Sequence, residues 1–391
     1  MSDSFQIRII NSLKEIDANA WNGLQPSDSF NPFISYGFLY ALEKSGSAIS
    51  KTGWLGQHLI LEDDKGEMLG ALPCYLKNHS QGEYVFDHGW ADAFERAGGN
   101  YYPKLQCSVP FTPATGSRFL VPECEGREVR MTALAQGLQQ LCERMEVSSA
   151  HITFMEEQEW KFAGEQDYLR RKDQQFHWIN EDYKTFDDFL TALSSRKRKN
   201  IKKERRVALE DNGITIDLLK GDEIDERTWD RFFAFYNDTG MRKWGQPYLT
   251  REFFSMIGEM MPERTLLIMA KRANDENSEY VAGALNFIGD DCLYGRHWGC
   301  LEDHPCLHFE VCYYQAIDYA IEHGLKRVEA GAQGSHKLAR GYVPVTTHSA
   351  HWITHPGLRG AVEDYLVHER REVDRHNEIL SEHAPFKKEQ K

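Results

Sequence analysis

Apolar positions along this chain follow two periods, alternation for strands and three-four spacing for helices. In the first half, residues 5–10 read as a strand and residues 35–45 as a helix. A hairpin is expected from 57–63 and 68–77, because Asp64-Lys65-Gly66-Glu67 stands between two apolar runs. Residues 78–118 carry Gly, Pro and aromatics without a period and read as one long loop. Such a loop in a compact domain is functional or wraps another element. A strand at 118–121 or just before it, a helix over 128–146, a strand at 150–155, a helix over 157–171 and a strand at 175–180 follow.

The second half repeats this order. Helices are expected over 186–212, 226–236 and 250–261, then a hairpin of 266–272 and 280–288 with a polar turn between them. A strand at 293–298 leads through a loop to a helix over 307–323. The apolar stripe of that helix is Phe309, Tyr313, Ala316, Ile317, Ala320 and Ile321, and Gly324 stands at its stop position. A strand at 326–330, a short helix, a strand at 349–354 and a charged amphipathic helix to about residue 380 complete the chain.

Two triplets point to a duplication. Gly70-Ala71-Leu72 and Gly283-Ala284-Leu285 both fall in the second strand of a hairpin, and His177-Trp178-Ile179 and His351-Trp352-Ile353 both fall in the last strand of a copy. The first pair is offset by 213 residues and the second by 174, a difference close to the length of the extra loop in copy one. The expectation is an α/β chain with mixed sheets in two tandem domains, 1–182 and 183–391. A length of 391 residues agrees with two cores.

Charge narrows the choice of partners. With 46 basic and 60 acidic residues the net charge is −14, which disfavours a general nucleic-acid or membrane-surface binder. Residues 194–206 (SSRKRKNIKKERR) reverse that sign with eight cations, Arg196 and Lys199 among them. This run reads either as a solvated helix face or as a patch for phosphates or another polyanion. No basic leader with an apolar run opens the chain and no apolar stretch is long enough to span a membrane, so a cytoplasmic setting is expected. The eight cysteines form no CxxC pair and read as reduced and structural.

Polar residues gather at the ends of the elements between 292 and 345, where α/β scaffolds carry their sites. On one side stand His297, His304, His308 and Glu310, and on the other Glu329, Gln333, His336, Lys337 and Arg340. Glu310 reads as a helix-terminus charge partner or as a working base. His297 reads as a hydrogen-bonded core histidine or as a third base. The His/Cys spacing here matches no common closed zinc pattern, so no metal is expected. Neither a dinucleotide nor a P-loop fingerprint occurs.

The string LHFEVCYYQAIDYAIEHGLKRVEAGAQGSHKLARGYVP, with HSAHWI after it and NPFISYGFLYALEKSG near the start, resembles the bacterial FemAB-like predicted N-acyltransferases, the peptidoglycan biosynthesis or recognition proteins. The resemblance covers nearly the whole chain. It implies two GNAT-type acyltransferase domains and transfer of an acyl or aminoacyl group to an amine. It places an acyl-thioester arm between two splayed strands, with its pyrophosphate at the start of the next helix. Coenzyme A or acyl-CoA is thus the implied co-substrate, near Trp298, Gly299, Leu307, His308 and Arg340. In place of the family's pyrophosphate loop this chain has GCLEDHPCLHF. Glu310, Glu329 or His297 would take the amine proton, and Tyr342 or His336 would protonate the leaving group. Arg196, Lys199, Arg296, Gln333 and Lys337 would hold anionic parts of the substrates. The implied acceptor is a small-molecule amine or a cell-wall precursor, with aminoacyl-tRNA as the alternative donor and a non-catalytic ligand-binding member of the fold as the third reading. Copy two is the expected active copy, and the 78–118 loop, with Asp87, His88, Trp90 and Tyr101-Tyr102, a cover for it.

Overall fold

A computed structural model describes residues 5–26, 29–273, 279–331 and 334–387. It contains strands β1 (Gln6–Ile10), β2 (Leu55–Gly56), β3 (His58–Glu62), β4 (Met68–Leu72), β5 (Tyr75–Lys77), β6 (Lys104–Cys107), β7 (Ser149–Met155) and β8 (Leu169–Ile179). The second half adds β9 (Ile214–Lys220), β10 (Thr265–Arg272), β11 (Tyr280–Ile288), β12 (Cys292–Cys300), β13 (Arg327–Glu329) and β14 (Val343–Ile353). The chain divides into two compact units that are not sequential halves. Unit 1 comprises 1–174 and 346–376, and unit 2 comprises 175–345 and 377–391, where the sequence suggested one cut at 182/183.

Each unit is built on one parallel strand pair joined by a crossover helix. In unit 2, β12 and β13 pair in parallel at Cys292↔Arg327, Leu293↔Val328 and Tyr294↔Glu329. The helix between them begins at Leu307–Phe309, loosens into a π turn at Glu310–Tyr314 and ends as Gln315–Glu322. Val311, Ala316, Ile317 and Ala320 bury its apolar stripe against Leu266, Ile268 and Val328. In unit 1, β6 and β7 pair in parallel, and the helix Arg127–Arg144 joins them. Leu134, Ala135 and Leu138 of that helix pack on Leu59, Leu61 and Leu72.

The register supports the duplication. Ile60↔Ala71 and Leu61↔Gly70 in the β3–β4 hairpin match Ile268↔Ala284 and Met269↔Gly283 in the β10–β11 hairpin. Both glycines sit under close neighbours: a Cβ on Gly70 would lie 3.0 Å from Val121 Cγ2, and one on Gly283 2.5 Å from Met269 Sδ. The His-Trp-Ile strands are equivalent as well. His177 of β8 lies opposite Glu329 of β13, and His351 of β14 lies opposite His151 of β7, both antiparallel. The copies differ at Pro73, which has no N–H to give a ladder and follows β4 directly. There β4 stays with β1 and β3 in a separate sheet while β5 pairs with β6.

Several expected elements change. The long 78–118 stretch contains the helix His88–Arg96 and β6. The expected strand at 118–121 is reduced to one bridge, Ala71↔Leu120, because Arg118 turns inward to bond the carbonyls of Ala114, Gly116 and Thr153. The helix expected over 186–212 breaks at Leu193, which is extended and bridges Phe386, and resumes as Ser195–Arg206. The polar turn of the second hairpin, 274–278, lies outside the described residues.

Gly299 faces the helix Glu226–Trp244 so closely that a Cβ would stand 2.2 Å from the Phe235 carbonyl oxygen. That contact is backbone and cannot swing aside. Gly299→Ala is therefore expected to lower stability by roughly 1–3 kcal/mol, read as a shifted urea midpoint at constant m.

Candidate active site

The parallel ladder between β12 and β13 ends at Tyr294↔Glu329, while β12 continues along β11. Beyond that point β12 bulges: Asn286 faces Gly295 and Leu285 faces His297, which leaves Arg296 as the extra residue. A cleft of about 90 Å³ opens there, lined by Asn286, Gly295, Arg296, Trp298, His308 and Tyr313, with Ala284, His297, Cys312 and Ala330 beside them. Asn286 is fully buried. Its amide donates to the Ala284 carbonyl at 3.3 Å, but its Oδ1 accepts nothing. A buried acceptor left without a donor costs about 1–3 kcal/mol, which an incoming N–H would relieve.

One wall is aromatic. Trp298 and Tyr313 each stand edge-on to the His308 ring, at 5.2 and 5.5 Å between centroids. The Tyr313 hydroxyl is 2.8 Å from His336 Nε2. Burial pushes the Tyr313 phenol above its ordinary pKa, so it remains protonated. His336 itself is exposed, so solvent reaches the far end of this pair. Tyr342 is behind Tyr313, edge-on at 5.4 Å, wholly buried and with its hydroxyl unpartnered.

Electrostatics separate the predicted bases. Glu310 is fully buried and held by Arg205 (Nη2 to Oε1 2.9 Å, Nε to Oε2 3.2 Å) and by Gln315 Nε2 at 2.7 Å. Burial raises its pKa against the pull of Arg205. Arg205 also pairs with Asp318 at 2.7 Å. Glu310 is thus a structural ion-pair partner, and it does not line the cleft. Glu329 pairs with Arg327 at 3.3 Å, and its other oxygen accepts no hydrogen bond. His297 lines the cleft edge-on to Tyr236, and desolvation lowers its pKa to about 3, which leaves it neutral and a weak base.

The cations divide similarly. Arg340 donates to Glu204 at 3.0 and 3.1 Å, lies 3.4 Å over the Phe309 ring and shares Glu204 with the Tyr314 hydroxyl. It straps the basic helix to the crossover helix and is not open to a phosphate. Lys337 is buried with one bond, from Nζ to the Gly331 carbonyl at 2.8 Å, and no carboxylate partner among the described residues. Burial lowers its pKa to about 8, with Arg296 adding to the effect. Leu307 belongs to the core at 1% exposure and Gly299 is covered by its helix, so neither is open to a co-substrate. Gln333 lies outside the described residues. Of the residues singled out from sequence, Arg296, His297, Trp298 and His308 meet at the cleft, with His336 reaching it through Tyr313. Tyr313 and Asn286 were missed, since a tyrosine in an apolar stripe and an asparagine inside a strand carry no motif.

The basic helix borders a second feature, an open groove of about 710 Å³. Phe186, Leu190 and Leu209 line it together with Lys199, Lys202, Lys203 and Arg206. Lys202 pairs with Asp187 at 3.2 Å, and Arg196 is exposed on the same helix. Among the described residues no group of three or more His, Cys, Asp or Glu is placed to hold a metal, and no helix is long and apolar enough to cross a membrane.

Residues 12–388 match the FemAB-like family, described as peptidoglycan biosynthesis/recognition. No curated protein matches the sequence. Among solved structures, FemX superposes with a TM-score of 0.55 at 13% identity, over 89% of this chain and 98% of that one. A conserved protein of unknown function from Bacteroides thetaiotaomicron gives 0.51 at 11% identity, over 88% and 99%. A tandem GNAT protein from the clavulanic acid pathway is more distant, at 0.45 and 10% identity over 90% and 99%.

Proposed function

Because the chain belongs to the FemAB-like peptidoglycan biosynthesis/recognition family and is a transferase of that tandem GNAT-like fold, we propose that it passes an aminoacyl group from an aminoacyl-tRNA ester to an amine of a cell-wall precursor. The observation that carries this reading is the cleft between β12 and β13, where Asn286 Oδ1 lacks a donor beside the Tyr313–His336 pair. In this reading Asn286 accepts an N–H of the bound amine and so aims its lone pair at the ester carbonyl. Attack forms the C–N bond and a tetrahedral oxyanion, for which Arg296 supplies positive charge at the cleft. Collapse breaks the ester C–O bond. Tyr313 protonates the departing oxygen and takes a replacement proton from His336, which in turn takes up the proton that the attacking amine releases. Lys199, Lys202, Lys203 and Arg206 of the basic groove meet the phosphates of the donor.

Acyl-CoA is the second reading, favoured by the splay of β12 from β13, where a thioester arm would lie by analogy with GNAT-type domains. Two binding measurements separate the donors. For the RNA donor, nitrocellulose retention of charged tRNA is expected to weaken roughly 100-fold between 50 and 200 mM salt if four cations neutralise phosphates. Thermal melting is expected to be unmoved by acetyl-CoA, longer acyl-CoAs or free CoA. A rise of several degrees with a CoA species, together with salt-insensitive or absent RNA retention, would replace the first reading by the second.

A further inference from the structure

Unit 1 carries a cationic cavity far in sequence from the cleft residues. It measures about 220 Å³ and is lined by Arg170, Arg359, Arg370, Glu363, Asp167 and apolar neighbours. Arg170 lies in β8, while Arg359 and Arg370 are on the helix Pro356–Glu382, eleven residues apart and so on one face. Arg170 and Arg370 are held by contacts that leave their charge unpaired, and Arg359 is paired with one carboxylate. Arg170 lies over the Trp160 ring at 4.8 Å, and its stem runs where a side chain on Gly164 would be, 2.6 Å from that Cβ position. Arg370 donates to the Arg170 carbonyl. Arg359 lies over Trp352 at 5.2 Å and gives Nη2 to Asp167 at 2.9 Å. Its Nη1 is buried and bonded to nothing. Among the described residues Arg170 and Arg370 form no ion pair, and burial and the neighbouring Arg170 hold the Arg370 pKa down. Three cations thus converge on a cavity with a single carboxylate bonded to any of them.

We propose that this cavity is a binding site for a phosphate-bearing small anion, of the size of a diphosphate. Guanidinium forks match phosphate oxygens bidentately, and several forks together suit a group with oxygens in more than one plane. The cavity is many times what a single water needs, so it has room for a group larger than a lone carboxylate. The inference stands apart from the transfer reaction, and its test is a binding measurement without turnover.

Titration calorimetry of the full chain at fixed ionic strength would use inorganic phosphate, pyrophosphate and a nucleoside diphosphate. Pyrophosphate is expected to bind, at least tenfold more weakly in Arg370→Gln and in Arg359→Gln. Arg370→Gln loses one bond to a backbone carbonyl and is expected to fold. Glu363→Gln removes an exposed negative charge from the rim and is expected to tighten binding severalfold. Lys51→Gln, an exposed cation outside both the cavity and the basic groove, is expected to leave the affinity within twofold. Tighter binding of the nucleoside diphosphate than of pyrophosphate identifies a nucleotide as the source, and equal binding identifies the free anion. No heat with any of the three anions at millimolar concentration, or affinity unchanged in Arg370→Gln, overturns the proposal.

Discussion

Arg205→Met is expected to destabilise the protein by about 3 kcal/mol near neutral pH, the low end of what breaking a buried ion pair costs. The change leaves Glu310, which has no solvent exposure, with only the Gln315 amide as a partner. That remaining bond and the 22% exposure of the Arg205 side chain keep the loss from the upper end of the range. The pH dependence has a definite sign. Burial already holds the Glu310 carboxyl above its unfolded pKa, and loss of Arg205 raises it further. A carboxyl that binds its proton more tightly in the fold penalises the fold as pH rises through its folded pKa. Denaturant unfolding should therefore show a small difference between variant and parent at about pH 4 and the full difference at pH 8. A difference that is flat or larger in acid would show that Glu310 is not the group stranded. The same variant separates structure from catalysis, since an ion-paired Glu310 affects turnover only through folding.

Tyr313→Phe is expected to lower kcat by about 10²–10⁴, the range for loss of a positioned proton donor, with KM changed less than threefold. The hydroxyl removed touches His336, which is exposed, so water replaces the lost partner and the melting temperature should hold within a few degrees. His336→Gln keeps a group able to bond Tyr313 but cannot carry a proton at neutral pH. It should lose most of the same rate. Single-turnover transfer with the donor selected by the binding comparison checks both. Turnover within threefold of the parent in Tyr313→Phe would remove this pair from the reaction.

The crossover helix and the β10–β11 hairpin could be read from the sequence because their apolar periods are long and bounded. The triplets Gly-Ala-Leu and His-Trp-Ile revealed the duplication because packing repeats at those positions: the glycines lie under side chains, and the histidines lie opposite His151 of β7 and Glu329 of β13. The break at Leu193 was hidden, since only a distant strand partner, Phe386, makes an extended residue favourable inside a helical pattern. The helix His88–Arg96 was hidden because it buries only Trp90 and Ala91. At the site, clustering located the right stretch, yet it could not rank the groups within it. Glu310 and Arg340 look available in sequence and are neutralised by Arg205 and Glu204, about one hundred or more positions away. Tyr313 looks like core and lines the cleft, and it sits within the π turn at Glu310–Tyr314, where the regular helical period does not apply.

Neither half of the gene encodes a complete unit. The strand that closes β13 is the last strand of copy one, and the strand that closes β7 is the last strand of copy two. A chain cut near its middle would give two fragments, each with one bare sheet edge and one strand suited to cover the other's. That is the arrangement of a strand-swapped homodimer whose subunits have been joined end to end. Fusion holds the exchanged strands in fixed stoichiometry, and it frees the two copies to diverge. One carries a glutamate opposite its closing histidine, and the other carries a second histidine there.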